Sequence, residues 1–75
     1  MRELNRQVGE RVRHLRKLKG FTQEGLADAS GLNRAHLGEI ERGEVDVTIL
    51  TLHKIGRGLK VKVSSLVKDI TLPRK

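Results

Sequence analysis

The stretch TQEGLADASGLNRAHLGEIERG, residues 22–43, constrains the fold more than any other part of the sequence. Thr22 is a good N-cap, because its hydroxyl accepts a hydrogen bond from a free backbone N–H at a helix start, and helix-forming residues follow it. Gly31 then ends that helix, since glycine adopts a positive φ angle without a Cβ clash. Asn33 is a second N-cap, so the sequence predicts two short helices joined by a tight turn.

Apolar residues on both helices predict one small shared core. Helical periodicity allows four of them to point to the same side: Leu26, Leu32, Leu37 and Ile40. The remaining residues of the second helix are expected on its other faces: Arg34, Ala35, His36, Gly38 and Glu39. This helix therefore keeps an exposed face with which it can contact another molecule.

An amphipathic helix is predicted before this stretch. Apolar residues recur there at steps of four, four, three and three, a spacing typical of one buried helix face: Leu4, Val8, Val12, Leu15 and Leu18. The helix is expected to end near Gly20. Phe21, the only aromatic residue, is expected to fill part of the core.

Two more helices are predicted after the stretch. Thr48 is a suitable N-cap for a helix that turns four apolar residues inward: Ile49, Leu52, Ile55 and Leu59. Gly56 and Gly58 fall near its end, and each glycine in a helix costs about 1 kcal/mol relative to alanine, so we expect early fraying. Ser64 or Ser65 is expected to cap a short last helix with the apolar residues Leu66, Val67 and Ile70.

The 75 residues carry a net charge of +7, concentrated at the two ends. Residues 1–20 hold seven basic and two acidic side chains, and residues 59–75 hold five and one. A basic surface suits a polyanion, because each neutralised phosphate releases counterions. The alternative is that these charges belong to ordinary solvated helix faces.

The composition argues against several classes of protein. Without cysteine there is no disulfide or thiolate metal site, and the three histidines lie 22 and 17 residues apart, unlike metal ligands on one helix. No nucleophile-and-base pattern or phosphate-binding glycine loop indicates an enzyme. The polar start MRELNRQVGE and the lack of a long apolar run lead us to expect a cytoplasmic protein with no membrane contact, no cofactor and no small-molecule ligand.

The stretch of residues 22–43 resembles the helix-turn-helix of the lambda-repressor-like family (Cro/CI-type, xenobiotic-response-element) of bacterial and phage regulators. The resemblance rests on TQEGLA at 22–27, on Gly31 followed by Leu32, and on LGEIERG at 37–43. It extends outward over roughly residues 8–67.

The resemblance implies one compact all-α domain, residues 1–75, of the five-helix lambda-repressor-like type. Its helix-turn-helix covers about 22–43, and a basic C-terminal tail covers about 71–75. Relatives often pair the glutamate of the E-R-G ending with an arginine on the first helix, which implies a pair between Glu41 and Arg16. The implied function is that of a transcriptional regulator that binds specific sequences of double-stranded DNA.

In the family, a recognition helix, here about 33–42, enters the major groove, where each base pair shows a distinct pattern of donors and acceptors. The resemblance assigns base reading to Asn33, Arg34, Ala35, His36 and Glu39. Arg34 is the strongest candidate because its guanidinium can donate twice to guanine; the alternatives are a phosphate contact or a solvated surface position. Glu39 can accept from cytosine or pair instead with Arg42.

Contacts to DNA phosphates are implied for a second set of residues: Gln23, Thr22, Lys17, Lys19 and Arg42. The family uses the glutamine at the start of the second helix in this way, because its amide and the free backbone N–H groups both meet a phosphate there. For Thr22 and Asn33, capping comes first and a DNA contact second.

One domain of this size has too small a footprint for high specificity, and relatives bind palindromic sites as homodimers. We therefore expect a homodimer held by an apolar C-terminal patch: Val63, Val67 and Ile70, with Leu72 beyond them. The alternative is that these residues complete the monomer core. The chain looks most similar to restriction-modification controller proteins or small phage-type repressors. The rival class is an antitoxin or another protein-interaction module that uses the same fold.

Overall fold

The computed structural model describes residues 2–70, which form five α-helices. They are α1 (Arg2–Leu18), α2 (Gln23–Ser30), α3 (Arg34–Glu41), α4 (Ile49–Leu59) and α5 (Val63–Val67). This part of the chain contains no strand, so the expected all-α architecture is confirmed. The predicted basic tail, 71–75, and Leu72 lie outside the described residues. None of the helices between residues 2 and 70 is long and apolar enough to cross a membrane.

The predicted helix caps are confirmed. Thr22 and Asn33 each accept a hydrogen bond from the backbone N–H three residues ahead, at 2.9 and 3.2 Å. Thr48 does the same at the start of α4, at 3.0 Å. Between α2 and α3, Gly31 adopts a φ of 69°, in the left-handed region that favours glycine. The chain therefore turns at the predicted residue, and α3 crosses α2.

The hydrophobic core lies where α2 packs against α4 and α1 packs against α3. The largest fully buried side chains come from all five helices: Val12, Leu26, Leu37, Ile40, Ile55, Leu59 and Leu66. Leu32 and Phe21 are half-buried and pack against this core. One side of α3 is thereby fixed in the interior, and its other side remains at the surface.

The prediction that Leu18 and Ile49 lie in the core is wrong, because the two residues are 71% and 75% exposed. An α-helix advances by about 100° per residue, so Leu18 lies about 120° around α1 from Val12. Ile49 is offset from Ile55 on α4 by a similar angle. Both residues also lie at the ends of their helices, and their side chains therefore fall outside the packed face.

Helix α4 continues through Gly56 and Gly58 to Leu59, so the expected early fraying is not observed. Both glycines are buried. A Cβ atom at Gly58 would lie 2.4 Å from the Ser30 Oγ of α2, and one at Gly56 would lie 2.9 Å from the Val61 carbonyl oxygen. The missing side chains allow this close approach, and the resulting packing offsets the low helix propensity of glycine.

The start of α5 differs from the prediction. Lys62 occupies the N-cap position without a side-chain hydrogen bond, whereas Ser64 and Ser65 lie inside the helix. Its far end is held from α1 instead, because the Arg11 guanidinium donates to the carbonyl oxygens of Ser65 at 2.8 Å and Lys68 at 2.6 Å. This long-range contact compensates for the uncapped start of the helix.

Candidate nucleic-acid interface

A surface cleft lies between the start of α2 and the outer side of α3. Its volume is about 340 Å³, and six residues line it: Gln23, Arg34, Ala35, Gly38, Glu39 and Arg42. All of these except Gly38 are predicted DNA contacts. The cleft thus brings base-reading candidates on α3 together with two phosphate-contact candidates.

The other predicted contacts are not part of this lining. Thr22 and Asn33 are exposed, and their side-chain oxygens cap α2 and α3. His36 is partly exposed on α3, one position after Ala35. Lys17 and Lys19 are exposed at the end of α1 and immediately after it. The described residues therefore form one central group around the cleft and separate basic positions outside it.

Gly38 gives the cleft its shape. The prediction that this residue lies on an exposed face is wrong, because Gly38 is buried beneath two neighbouring side chains. A Cβ atom there would lie 3.0 Å from the Arg42 Nη1 and 3.7 Å from both polar atoms of the Gln23 amide. A glycine at this position makes room for Arg42 and Gln23 side by side, a role that the sequence pattern did not indicate.

The pair between Glu39 and Arg42, one of the two alternatives for Glu39, is not formed. Glu39 Oε1 lies 3.5 Å from the His36 Nδ1, and both side chains are almost half exposed. Glu39 therefore has an intramolecular partner, but this partner is His36 and not Arg42. A surface contact of this length and exposure is weak, so both groups stay available to another molecule.

Arg42 binds Glu44 instead. Its Nε and Nη2 donate to the two carboxylate oxygens of Glu44 at 3.0 and 3.1 Å. These hydrogen bonds lower the pKa of Glu44 and raise the pKa of Arg42 from their ordinary values. Both side chains are more than half exposed. A phosphate approaching Arg42 therefore competes with Glu44 for the same guanidinium group.

A buried ion pair lies beneath the cleft. Arg16 of α1 donates from Nε to Glu41 Oε2 at 2.7 Å and from Nη2 to Glu41 Oε1 at 3.1 Å. The Glu41 side chain is only 2% exposed and that of Arg16 only 11%. Arg16 Nη1 also donates to the Phe21 carbonyl oxygen at 3.0 Å. The pair implied by the family resemblance is confirmed, and it joins α1 to α3.

Gln23 also bonds to the buried ion pair, and the sequence did not predict this contact. The Gln23 Nε2 atom, at the start of α2, donates to Glu41 Oε1 at 3.1 Å. Nothing in the spacing of these residues indicates that the start of α2 lies beside the end of α3. The backbone N–H groups of the first turn of α2 have no carbonyl partner within the helix, and they add positive potential near the Gln23 side chain.

The residues of the predicted dimer patch differ in exposure. Val63 and Ile70 are half-buried against the core, in agreement with the alternative that they complete the monomer. Val67 is 40% exposed. Of the three, Val67 therefore presents the largest apolar surface for a second molecule.

Two short capped helices joined at a left-handed glycine, with the second exposed along one side, define the helix-turn-helix class of DNA-binding proteins. The sequence profile of the helix-turn-helix family matches residues 12–66, and the chain belongs to this family.

Among its relatives are named regulators of transcription. The chain is 39% identical over 67 residues to the HTH-type transcriptional regulator SutR of Escherichia coli, covering 89% of this chain but only 38% of SutR. It is 38% identical over 60 residues to the control protein C.SmaI of Serratia marcescens, covering 80% of this chain and 71% of that protein.

A solved structure extends this relationship to the fold. The restriction-modification controller protein C.AhdI of Aeromonas hydrophila superposes with a TM-score of 0.81 at 37% identity, covering 83% of this chain and 94% of that one. The chain is thus related to helix-turn-helix transcriptional regulators and to restriction-modification controller proteins, which confirms the predicted family.

Proposed function

We propose that the chain regulates transcription by binding palindromic operator sites in double-stranded DNA as a homodimer, with α3 in the major groove. The observation that carries the proposal is the cleft in which Gln23, Arg34 and Arg42 border the exposed side of α3. Donors placed around one helix face suit a row of base edges flanked by phosphates. An α-helix with its side chains is about 10–12 Å in diameter, which fits the major groove of B-DNA, about 12 Å wide.

In this proposal the first turn of α3 reads base edges. Arg34 donates to a guanine, and Ala35 lies close enough to contact a thymine methyl group. His36, also in the first turn, and Glu39, in the next turn, form a weaker polar pair. Asn33 primarily caps α3 and makes a DNA contact in addition. These five positions carry the sequence preference.

The remaining polar residues hold the DNA backbone. Gln23 and Arg42 contact phosphates at the cleft, while Lys17, Lys19 and Thr22 contact phosphates beyond it. Such contacts fix the register of the protein on the duplex without reading its sequence. They also make binding sensitive to salt, because phosphate neutralisation releases counterions.

Dimerisation places two recognition helices on successive turns of one DNA face. The proposed contact is centred on Val67, with the half-buried Val63 and Ile70 beside it. The similarity to C.SmaI and C.AhdI supports a role as a controller or repressor of this kind.

To test the proposal, the purified protein selects the DNA duplexes that it binds from a pool of random sequences. We expect an enriched palindrome whose half-site centres lie about one helical turn apart. A reporter with the selected site beside its promoter then shows whether binding represses or activates. A pool without enrichment at low salt would contradict sequence-specific DNA binding.

A further inference from the structure

The Glu41 carboxylate receives hydrogen bonds from two helices at once. Its Oε1 accepts from Arg16 Nη2 and from Gln23 Nε2, each at 3.1 Å. We propose that Glu41 is a positioning residue for DNA binding: it holds the Gln23 amide with its nitrogen toward the interior and leaves one N–H of that nitrogen for a DNA phosphate. The inference rests on the proposed function, in which Gln23 contacts the DNA backbone.

The carboxylate itself is held in a fixed orientation. It is almost fully buried, and the Arg16 guanidinium engages both of its oxygens. Arg16 is fixed in turn by its bond to the Phe21 carbonyl oxygen. A rotation of Glu41 toward solvent would leave a buried arginine charge unpaired, so the acceptor for Gln23 stays in one place.

Glu41 and a DNA phosphate both require a hydrogen-bond donor. An ionised carboxylate only accepts hydrogen bonds, so the reversed amide of Gln23 would bring two acceptors together and lose the bond. A DNA phosphate likewise only accepts. The amide nitrogen carries two hydrogens, one for each anion. By selecting the nitrogen end, Glu41 selects the end of the amide that binds DNA.

The position of the amide agrees with this role. Both of its polar atoms lie 3.7 Å from the point that a Gly38 Cβ would occupy, at the lining of the cleft. Apart from Glu41, no hydrogen-bond partner of this side chain is present in residues 2–70. The amide is ordered before DNA arrives, so the conformational entropy of the side chain is lost during folding and not on binding.

The test is a double-mutant cycle on DNA affinity. Gln23→Ala is measured in the wild-type chain and in a chain with Arg16→Met together with Glu41→Met, which removes the acceptor without leaving a buried charge. The probe is a mixed-sequence duplex at low salt, because a phosphate contact does not depend on base sequence. We expect Gln23→Ala to weaken binding about fivefold in the wild type and less than about twofold in the double variant.

A matched background separates positioning from general destabilisation. Ile55→Ala removes a core side chain on α4, and Gln23→Ala should keep its full effect there. Equal effects of Gln23→Ala in all three backgrounds would overturn the positioning role. If the wild type binds the duplex and Gln23→Ala changes nothing, this inference fails together with the phosphate contact proposed for Gln23, while the proposed binding of DNA through α3 stands. If the wild type does not bind the duplex at low salt, both fail.

A measurement on the wild-type chain keeps the inference testable if the double variant does not fold. NMR resolves the side-chain NH₂ groups of Gln23 and of the only other glutamine, Gln7, whose amide bonds the exposed Glu3. We expect the Gln23 protons to exchange more slowly with solvent than those of Gln7, and to shift when the duplex is added. Gln23 protons that exchange as fast as those of Gln7 would overturn the inference.

Discussion

Arg34 is the first residue of α3, and its side chain is exposed at the edge of the cleft. We expect Arg34→Ala to weaken operator binding by about 1–3 kcal/mol and to relax the preference at one base position per half-site, because a bidentate contact to guanine is lost. Gln23→Ala should weaken binding to all sequences nearly alike. Competition with single-base operator variants measures both effects. An unchanged base preference in Arg34→Ala would contradict base reading by this residue.

Glu44 occupies two donors of the Arg42 guanidinium, so in the proposed complex it competes with a DNA phosphate for this residue. We expect Glu44→Gln to raise the affinity for a mixed-sequence duplex about two- to fivefold, by releasing Arg42 and removing a negative charge beside the phosphates. Glu10→Gln is the matched control, because Glu10 pairs with Arg6 on the exposed side of α1. Equal gains from the two variants would mean that only net charge matters.

Single residues were predictable where their effect is local. Thr22, Asn33 and Gly31 act on the backbone within a few residues of themselves, so their types alone indicate caps and a turn. The partner of Gln23 was not predictable, because it depends on how the start of α2 and the end of α3 meet in space. Gly38 was misplaced for the same reason: its burial is caused by the side chains of Arg42 and Gln23. Glu39 is different: its partner, His36, lies three residues earlier on the same helix, a spacing that the sequence already shows.

At the level of whole helices, the pair between Arg16 and Glu41 joins α1 to α3. Removing one partner leaves the other charge buried, so we expect Arg16→Met and Glu41→Met each to lower the free energy of unfolding by about 3–5 kcal/mol. The double variant should lose much less than the sum, since neither charge remains. Thermal melts of the three proteins measure the coupling. Additive losses would show that the two residues do not stabilise each other.

The order and number of helices followed from the sequence, because caps and apolar periodicity repeat along the chain. Details of α4 and α5 did not. The cost of Gly56 and Gly58 is visible in the sequence, whereas the close approach of Ser30 that offsets it is a tertiary property. The start of α5 was misplaced for a related reason: its serines are typical caps, but the segment is held by Arg11 from α1.

The protein is proposed to bind DNA as a homodimer. We expect Val67→Asp to favour the monomer while leaving the fold intact, because the new charge would have to lose its water in the interface. Affinity for a palindrome should then fall far more than affinity for a half-site. Sedimentation and half-site titration measure these effects, and Leu18→Asp, exposed at the end of α1, controls for the added charge. A dimeric or unfolded Val67→Asp protein would contradict the assignment of this surface.

The contact between Arg11 and the end of α5 also bears on synthesis at the ribosome. Helix α5 has five residues, and a helix of that length does not persist alone in water. Because α1 emerges before α5, its arginine has no α5 carbonyls to bind until α5 has followed. A nascent chain therefore completes the surface around Val67 late, and incomplete chains do not display it in its folded form.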